Sequence, residues 1–110
     1  MERFIKGDIV VVPFPFSDLT GSKKRPAMVL ADLVGDDIIL CQITSQNIKD
    51  NYAISLNDYD FLKGTLSVQS NIRPNRIFTA DKNIIINKIA SLNNTAVTRV
   101  FKKVIEILEQ

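Results

Sequence analysis

The side chains available for chemistry in this chain are Arg, Lys, Asp, Glu, Ser, Thr and Tyr. There is no histidine, and Cys41 is the single cysteine. A Ser-His-Asp triad, a Cys-His pair and a zinc site built from His and Cys are therefore excluded. Glycine-rich phosphate-binding motifs are absent, and the strongest acidic pair, Asp36 with Asp37, falls in a predicted turn. Catalysis by this chain would have to use charge, hydroxyl groups and carboxylates.

The basic residues are concentrated in two segments. Residues 1–30 hold five Lys or Arg against three acids, and residues 61–90 hold five against one, whereas residues 31–60 hold six Asp and one Lys. If the two basic segments meet in the fold, they form a patch suited to phosphate groups. The alternative, equally open from the sequence, is that these charges are ordinary solvated faces.

Length and composition are those of a globular protein. With 110 residues, 45% apolar and 24% charged, we expect one domain over residues 1–110 with a core of its own. No apolar run approaches the roughly 18 to 20 residues of a membrane span, and the N-terminus lacks the apolar segment of a secretory signal. We therefore expect a cytoplasmic protein without a membrane partner.

Short apolar and β-branched runs bounded by turn residues predict a mainly β fold. The predicted strands are Asp8–Val12, Ala27–Ala31, Ile38–Ile43, Ala53–Leu56 and Ile72–Thr79. Pro13 is expected to end the first strand and Pro74 to interrupt the fifth. Gly35-Asp36-Asp37 should join the second and third strands as a hairpin, and Ile84–Ala90 is ambiguous.

The last element is an amphipathic helix. Between Thr95 and Leu108 the apolar residues recur at helical spacing, and Asn93 and Asn94 supply a start signal. The stripe consists of Val97, Val100, Phe101, Val104, Ile105 and Leu108. Several short strands and one such helix predict a small, strongly curved barrel with the helix packed against it.

Several segments together resemble one known family. They are the opening run Gly7–Phe14, Gly21-Ser22, Arg25–Leu30, Ile43-Thr44-Ser45, Ser70 with Arg73 and Ile77 before Thr79-Ala80-Asp81, and the closing helix. In order and spacing they are similar to the PemK/MazF toxin endoribonucleases, over nearly the whole chain. The resemblance implies an SH3-like barrel, a homodimer, and metal-independent cleavage of single-stranded RNA at short motifs, with no cofactor and 2′,3′-cyclic phosphate ends.

The same resemblance implies a protein partner and specific catalytic residues. The partner is a cognate acidic antitoxin, whose flexible segment blocks the RNA groove and with which the toxin binds DNA. Arg25 matches the family's catalytic arginine and Thr44 its catalytic threonine. RNA brings its own nucleophile, the 2′-hydroxyl, so a guanidinium that neutralises the transition state and a hydroxyl donor are compatible with this chemistry. From the residues alone, a surface arginine and a threonine that favours a strand end remain open.

The general base is open, because many family members carry a glutamate shortly before the arginine and this chain does not. Thr20 stands five residues before Arg25, and the nearest acid is Asp18. Asp18 could act from a flexible loop, proton transfer could pass through water, or Asp18 could be a turn residue.

RNA binding is predicted from charge and stacking. The candidates for contacts to RNA are Lys23, Lys24, Ser45, Arg73 and Arg76. Phe14, Phe16 or Tyr52 could stack a base, although Phe14 and Phe16 could equally be packing residues. Cys41 should be an inert buried thiol, and Phe101 should belong to the core.

Two other functions remain open from the sequence. The barrel also resembles that of the CcdB gyrase poisons, which would make this chain a non-catalytic protein-binding module. The missing glutamate leaves room for a degenerate toxin without activity.

Overall fold

The computed structural model describes residues 3–14 and 23–110, with Phe14 as backbone only. In these ranges it is mainly β, a seven-stranded curled half-barrel with a C-terminal helix, which confirms the predicted fold class. The strands are β1 (Asp8–Phe14), β2 (Lys23–Asp32), β3 (Asp37–Thr44), β4 (Ile54–Leu56), β5 (Phe61–Gly64), β6 (Ser70–Asp81) and β7 (Asn87–Leu92), and the helix is α1 (Asn94–Leu108). Within the described ranges, no helix has the length and apolar character that a membrane span needs.

The sheet places β3 between two long neighbours. Its strand order is β4-β6-β3-β2-β1-β7-β5, and all pairs are antiparallel. β2 and β3 form the predicted hairpin, whose turn contains Gly35 at φ +95°. The Lys82 ammonium holds this turn, because it donates to the carbonyl oxygens of Leu33 (2.7 Å) and Gly35 (2.8 Å) and lies 2.6 Å from an Asp32 carboxylate oxygen.

Pro13 lies inside β1, opposite Lys24, so the prediction that it ends the strand was wrong. The reason is the position of the next strand. β7 pairs with β1 only as far as Val11, whose carbonyl accepts from the Ile86 N–H. Backbone groups two residues apart point to the same side, so the Pro13 nitrogen faces the side where the ladder with β7 has ended. A proline there removes no ladder hydrogen bond.

Pro74 also lies within a strand, and a bulge accommodates it. In the β3–β6 ladder Gln42 pairs with Arg73, whereas the preceding residue, Cys41, pairs with Ile77. The three residues between Arg73 and Ile77 are thus extra on β6. The predicted interruption is therefore a bulge within a continuous strand that extends to Asp81.

The sheet has a core on each face. One is covered by α1 and consists of Ile9, Met28, Leu30, Cys41, Ile43, Ile54, Leu56, Ile72, Ala90, Leu92, Ala96, Val97, Val100 and Val104. The second, on the other face, consists of Phe4, Val10, Val12, Ala27, Val29, Ile38 and Leu40. Alternation along β2 and β3 therefore sends successive residues to different cores.

The predicted helix is confirmed and begins where expected. The Asn93 side chain accepts from the Ala96 N–H at 2.9 Å, which caps the first turn. Gly7 lets the helix approach the sheet, because a Cβ at this position would lie 2.6 Å from Val97 Cγ2 and φ is +97°. The end of the predicted stripe differs, since Ile105 and Leu108 are exposed.

Two strands were not predicted as such. The ambiguous segment Ile84–Ala90 begins at the last residue of a 3-10 turn, Lys82–Ile84, and continues into β7. β5 was missed altogether; it is a short edge strand whose residues are mostly exposed, so it lacks the apolar alternation of a half-buried strand.

Candidate active site

Arg25 and Thr44 come together at the adjoining ends of β2 and β3. The β2–β3 ladder pairs Met28 with Cys41 and ends at the pair of Ala27 with Gln42. Continuing this register two residues past the end of the ladder sets Arg25 opposite Thr44. Directly opposed residues have Cβ atoms about 5 Å apart. Both side chains are half-buried, so two residues separated by 18 others in the sequence share one local environment.

The two residues stand on the face of the second core. Residues an even number of positions apart on a strand point to the same face. Arg25 therefore shares a face with Ala27 on β2, and Thr44 shares a face with Leu40 on β3. Both apolar residues belong to the core opposite α1. Arg25 and Thr44 thus end an apolar surface with a cation and a hydroxyl group. This edge position keeps them partly accessible while their strands fix the backbone.

Arg25 is an available cation. Among the residues that the structure describes, no carboxylate forms an ion pair with it. A guanidinium offers five N–H donors in a fixed planar arrangement suited to phosphate oxygens. Arg25 is therefore suited to binding an anion without first giving up a partner among the described residues.

Thr44 has a fixed hydroxyl with its hydrogen still available. Its Oγ1 accepts from the Gln46 N–H at 3.1 Å. Asn71, which pairs with Thr44 in the β3–β6 ladder, donates from Nδ2 to the Gln46 carbonyl at 3.1 Å, and Ser55 Oγ lies 3.1 Å from Asn71 Oδ1. These bonds hold the turn against β6. Because Oγ1 is used here as an acceptor, the hydroxyl hydrogen can be donated to a ligand.

Arg73 reaches the same region from β6 but has an acidic partner that the sequence did not suggest. Its Nη2 lies 3.0 Å from Asp50 Oδ2, and its side chain is only 15% exposed. The pKa of Asp50 is lowered, first by the hydrogen bond from the Tyr52 N–H and further by that from the Ala53 N–H and by Arg73. Asp50 is thus a stable anion and a poor base near neutral pH. Arg73 Nε is buried and has no hydrogen-bond partner among the described residues.

The remaining predicted contacts lie around this centre or outside the described residues. Lys23 and Lys24 are exposed where β2 begins, Ser45 is exposed just after β3, and Arg76 is exposed in the bulge of β6. Asp18 and Thr20 lie outside the described residues, as does Phe16. The structure therefore gives no position for the candidate base.

Three further predictions concern single side chains. Cys41 is fully buried, and this burial raises its pKa to about 12, in agreement with an inert thiol. Phe101 is half-buried against the α1-side core, with Lys6 Nζ 5.7 Å from the centre of its ring, so it is only partly a core residue. Tyr52 donates its hydroxyl hydrogen to Gln110 Oε1 at 3.2 Å, which ties the loop after β3 to the C-terminus.

A groove of about 630 Å³ runs along α1 and does not include Arg25 or Thr44. Its floor includes Phe101 and Ile105, and its rim carries two Lys and two Glu. Because α1 packs on the opposite face of the sheet, the groove and the Arg25–Thr44 edge do not share a surface. Its balanced charges give a polyanion no advantage there.

Sequence reasoning missed Gln42, Asn71 and Asp50. Gln42 had a visible signal, since it is a polar residue within the apolar run Ile38–Ile43. Asn71 and Asp50 had none, because their roles depend on strand pairing and on a loop that folds back. Within the described ranges, no group of three or more His, Cys, Asp or Glu side chains could hold a metal ion.

Comparison with known proteins identifies the same family over most of the chain. The family model described as PemK-like, MazF-like toxin of type II toxin-antitoxin system matches residues 5–108. No curated protein matches. A MazE-MazF crystal structure from Deinococcus radiodurans is similar in fold, with a TM-score of 0.77 and 19% identity over 96% of this chain and 95% of that one.

Two mycobacterial structures give the same result. An endoribonuclease has a TM-score of 0.75 at 12% identity, with 99% of this chain and 94% of that chain covered. An endoribonuclease in complex with its cognate antitoxin has a TM-score of 0.72 at 12% identity, with 99% and 96% covered. At these identities the solved structures establish the fold.

Proposed function

Because this chain belongs to the PemK-like, MazF-like toxins of type II toxin-antitoxin systems, we propose that it is a sequence-selective endoribonuclease that cleaves single-stranded RNA without a metal ion and so stops growth. The observation that carries the proposal is the half-buried Arg25, which has no acidic partner among the described residues, at the strand end beside the Thr44 hydroxyl. The proposal treats residues 1–110 as one domain that acts in the cytoplasm.

The reaction requires little of the protein beyond alignment and charge. The RNA 2′-oxygen loses its proton and bonds to phosphorus, and the bond from phosphorus to the 5′-oxygen breaks as that oxygen gains a proton. The products carry a 2′,3′-cyclic phosphate and a 5′-hydroxyl. Arg25 donates to the non-bridging oxygens, where negative charge increases in the transition state.

Thr44 supplies the second donor in this mechanism. Its oxygen accepts from the Gln46 N–H, so its hydrogen is free to be donated, and a phosphate held by Arg25 is the acceptor in this proposal. Asp50 is unsuited to take the proton from the 2′-hydroxyl, because it is already paired and its pKa is lowered. The base is either Asp18 or water.

The RNA backbone is expected to cross the ends of the three strands. Lys23 and Lys24 precede Arg25 on β2, on one side of β3. On the other side, Arg73 pairs with Gln42 and Arg76 lies in the bulge that follows, so cations lie on both sides of β3. Ser45 follows Thr44 and can donate to the same backbone. Arg73 would contribute with the donors that its pairing with Asp50 leaves unused.

An acidic antitoxin would recognise the same surface. Structures similar to this chain include a MazE-MazF structure and an endoribonuclease with its cognate antitoxin. A carboxylate-rich segment placed over Arg25 and the two lysines would neutralise the cations that bind RNA and would exclude the substrate. We further propose that the toxin is a homodimer and that its complex with the antitoxin binds DNA.

Cleavage of a long mixed-sequence RNA in excess EDTA tests the proposal. Wild-type protein should produce discrete fragments with 2′,3′-cyclic phosphate and 5′-hydroxyl ends, and the Arg25→Ala protein should not. Lys63→Ala is a matched control, because Lys63 is an exposed cation on β5, at the opposite edge of the sheet from β6. Intact RNA after incubation with folded wild-type protein would refute the nuclease proposal and favour a protein-binding or degenerate toxin.

A further inference from the structure

Gln42 occupies an unusual position for an amide. It lies in β3, the central strand of the site, between the buried residues Cys41 and Ile43. Its own side chain is half-buried and has the same parity as Thr44, so both face away from α1. Among the described residues, no hydrogen-bond partner of its side-chain amide is found.

An apolar or β-branched residue would suit this position better for folding alone. A strand position between two buried residues favours Val, Ile or Thr. The Gln42 amide is instead polar and reaches solvent, since it is not among the buried side-chain atoms without a partner in the described residues. A residue type that does not suit its place in the fold is expected chiefly at functional sites. The amide of Gln42 is therefore available to a ligand that offers a donor and an acceptor together.

The neighbours of Gln42 define what that ligand can be. Ala27 pairs with it on β2 and has too small a side chain to cover the amide, while Arg73 pairs with it on β6. Thr44 is two residues further along the strand, roughly 7 Å away, which is within one nucleotide of a phosphate bound there. Ladder pairing on both sides fixes the backbone from which the amide projects.

On the basis of the proposed nuclease function, we infer that Gln42 is a specificity-determining residue that hydrogen-bonds the edge of a base next to the scissile phosphate. Unstacked bases of single-stranded RNA expose such edges, and a side-chain amide can donate to and accept from one base at the same time. The backbone phosphates are left to the surrounding cations. In this inference β3 carries both the residue that selects the base, Gln42, and the residue that acts on the phosphate, Thr44.

Two variants separate base recognition from packing. Gln42→Met keeps the length of the side chain and removes its donor and acceptor, so the preference at one base position beside the cut should fall about tenfold or more while the other positions are unchanged. Gln42→Glu keeps the shape but leaves only acceptors, so the preference at that position should move towards guanine, which presents two N–H donors on its Watson–Crick edge. Asn83→Leu, an exposed amide beside the Lys82 turn at the far end of β2 and β3, is the control.

The measurement is the cut-site consensus from mapped fragment ends, together with binding of RNA oligonucleotides made uncleavable by a 2′-deoxy sugar at the cut. The binding experiment reports recognition even if a variant cuts slowly. Wild-type cleavage with the same consensus and the same binding preference in both Gln42 variants would overturn this inference and leave the nuclease proposal intact. Absence of cleavage by the wild type would remove both.

Discussion

If Arg25 and Thr44 act on one phosphate, removing both side chains should slow RNA cleavage by less than the product of the two single decreases in rate. Arg25→Ala removes a charged donor, and Thr44→Val removes a hydroxyl from a side chain of nearly the same shape. The register of β2 with β3, continued two residues past the last pair, sets the two residues opposite each other. Residues so opposed have Cβ atoms about 5 Å apart. Both donors can therefore reach one phosphate group, and the loss of one should lower the value of the other.

The single effects follow from the kind of donor removed. Loss of a preorganised donor to a developing anion costs about 3 to 4 kcal/mol, so Arg25→Ala should slow cleavage by roughly 100- to 1000-fold. Thr44→Val loses one neutral hydroxyl bond to a charged group and should cost about 2 kcal/mol, or roughly 30-fold. The double variant should cleave RNA at least about threefold faster than it would if the two losses of rate multiplied. This difference corresponds to a coupling free energy above about 0.6 kcal/mol.

Stability should hardly change in these variants. Arg25 has no ion-pair partner among the described residues, so its removal leaves no carboxylate unpaired there, and we expect the free energy of unfolding to change by less than about 1 kcal/mol. The assay is single-turnover cleavage of one oligonucleotide in EDTA, with urea unfolding of each protein. Wild-type activity in a folded Arg25→Ala protein, or losses that multiply fully, would refute a shared phosphate.

Three further predictions concern charge, acid stability and the buried thiol. The affinity for uncleavable RNA should fall steeply with salt, and Lys24→Ala should reduce the slope of log K against log salt by about 1; equal slopes would place Lys24 outside the RNA path. The lowered pKa of Asp50 implies a contribution to stability that is present above its ordinary value of 3.8 and is lost as the pH falls through its folded value. Asp50→Asn should therefore reduce the loss of stability that urea unfolding measures as the pH is lowered. The same loss of stability in acid for the variant and the wild type would contradict this. Cys41, with a pKa of about 12, should not react with a thiol reagent at pH 8 until the protein is unfolded, and rapid labelling of the native protein would show that it is accessible.

The elements predicted well from sequence are those whose pattern is local. The hairpin of β2 and β3 follows from two apolar runs around Gly35, and α1 follows from the apolar spacing and Asn93. Prolines were more difficult, because their effect depends on where the neighbouring strand ends. Pro13 is tolerated because β7 no longer pairs with β1 beside it. The residues around Pro13 give no indication of where that pairing ends.

The candidate site shows the same division. Arg25 and Thr44 were identified by resemblance, and their juxtaposition depends on the register of β2 with β3. Arg73 was predicted as a contact to RNA, whereas its pairing with Asp50 depends on a loop folding back over 23 residues of sequence. Long-range pairing of this kind has no signature in the spacing of the residues.

The candidate site thus has two groups of residues, one on the paired strands and one of exposed cations. Arg25, Gln42 and Thr44 lie on paired strands, where the backbone is held by ladder hydrogen bonds and a misplacement of the donors is least affordable. Lys23, Lys24 and Arg76 are exposed. In the proposed function they would act mainly through long-range attraction, which tolerates motion. Substitutions on the strands should therefore change the rate and the preferred base, whereas substitutions of the exposed cations should change affinity and its dependence on salt.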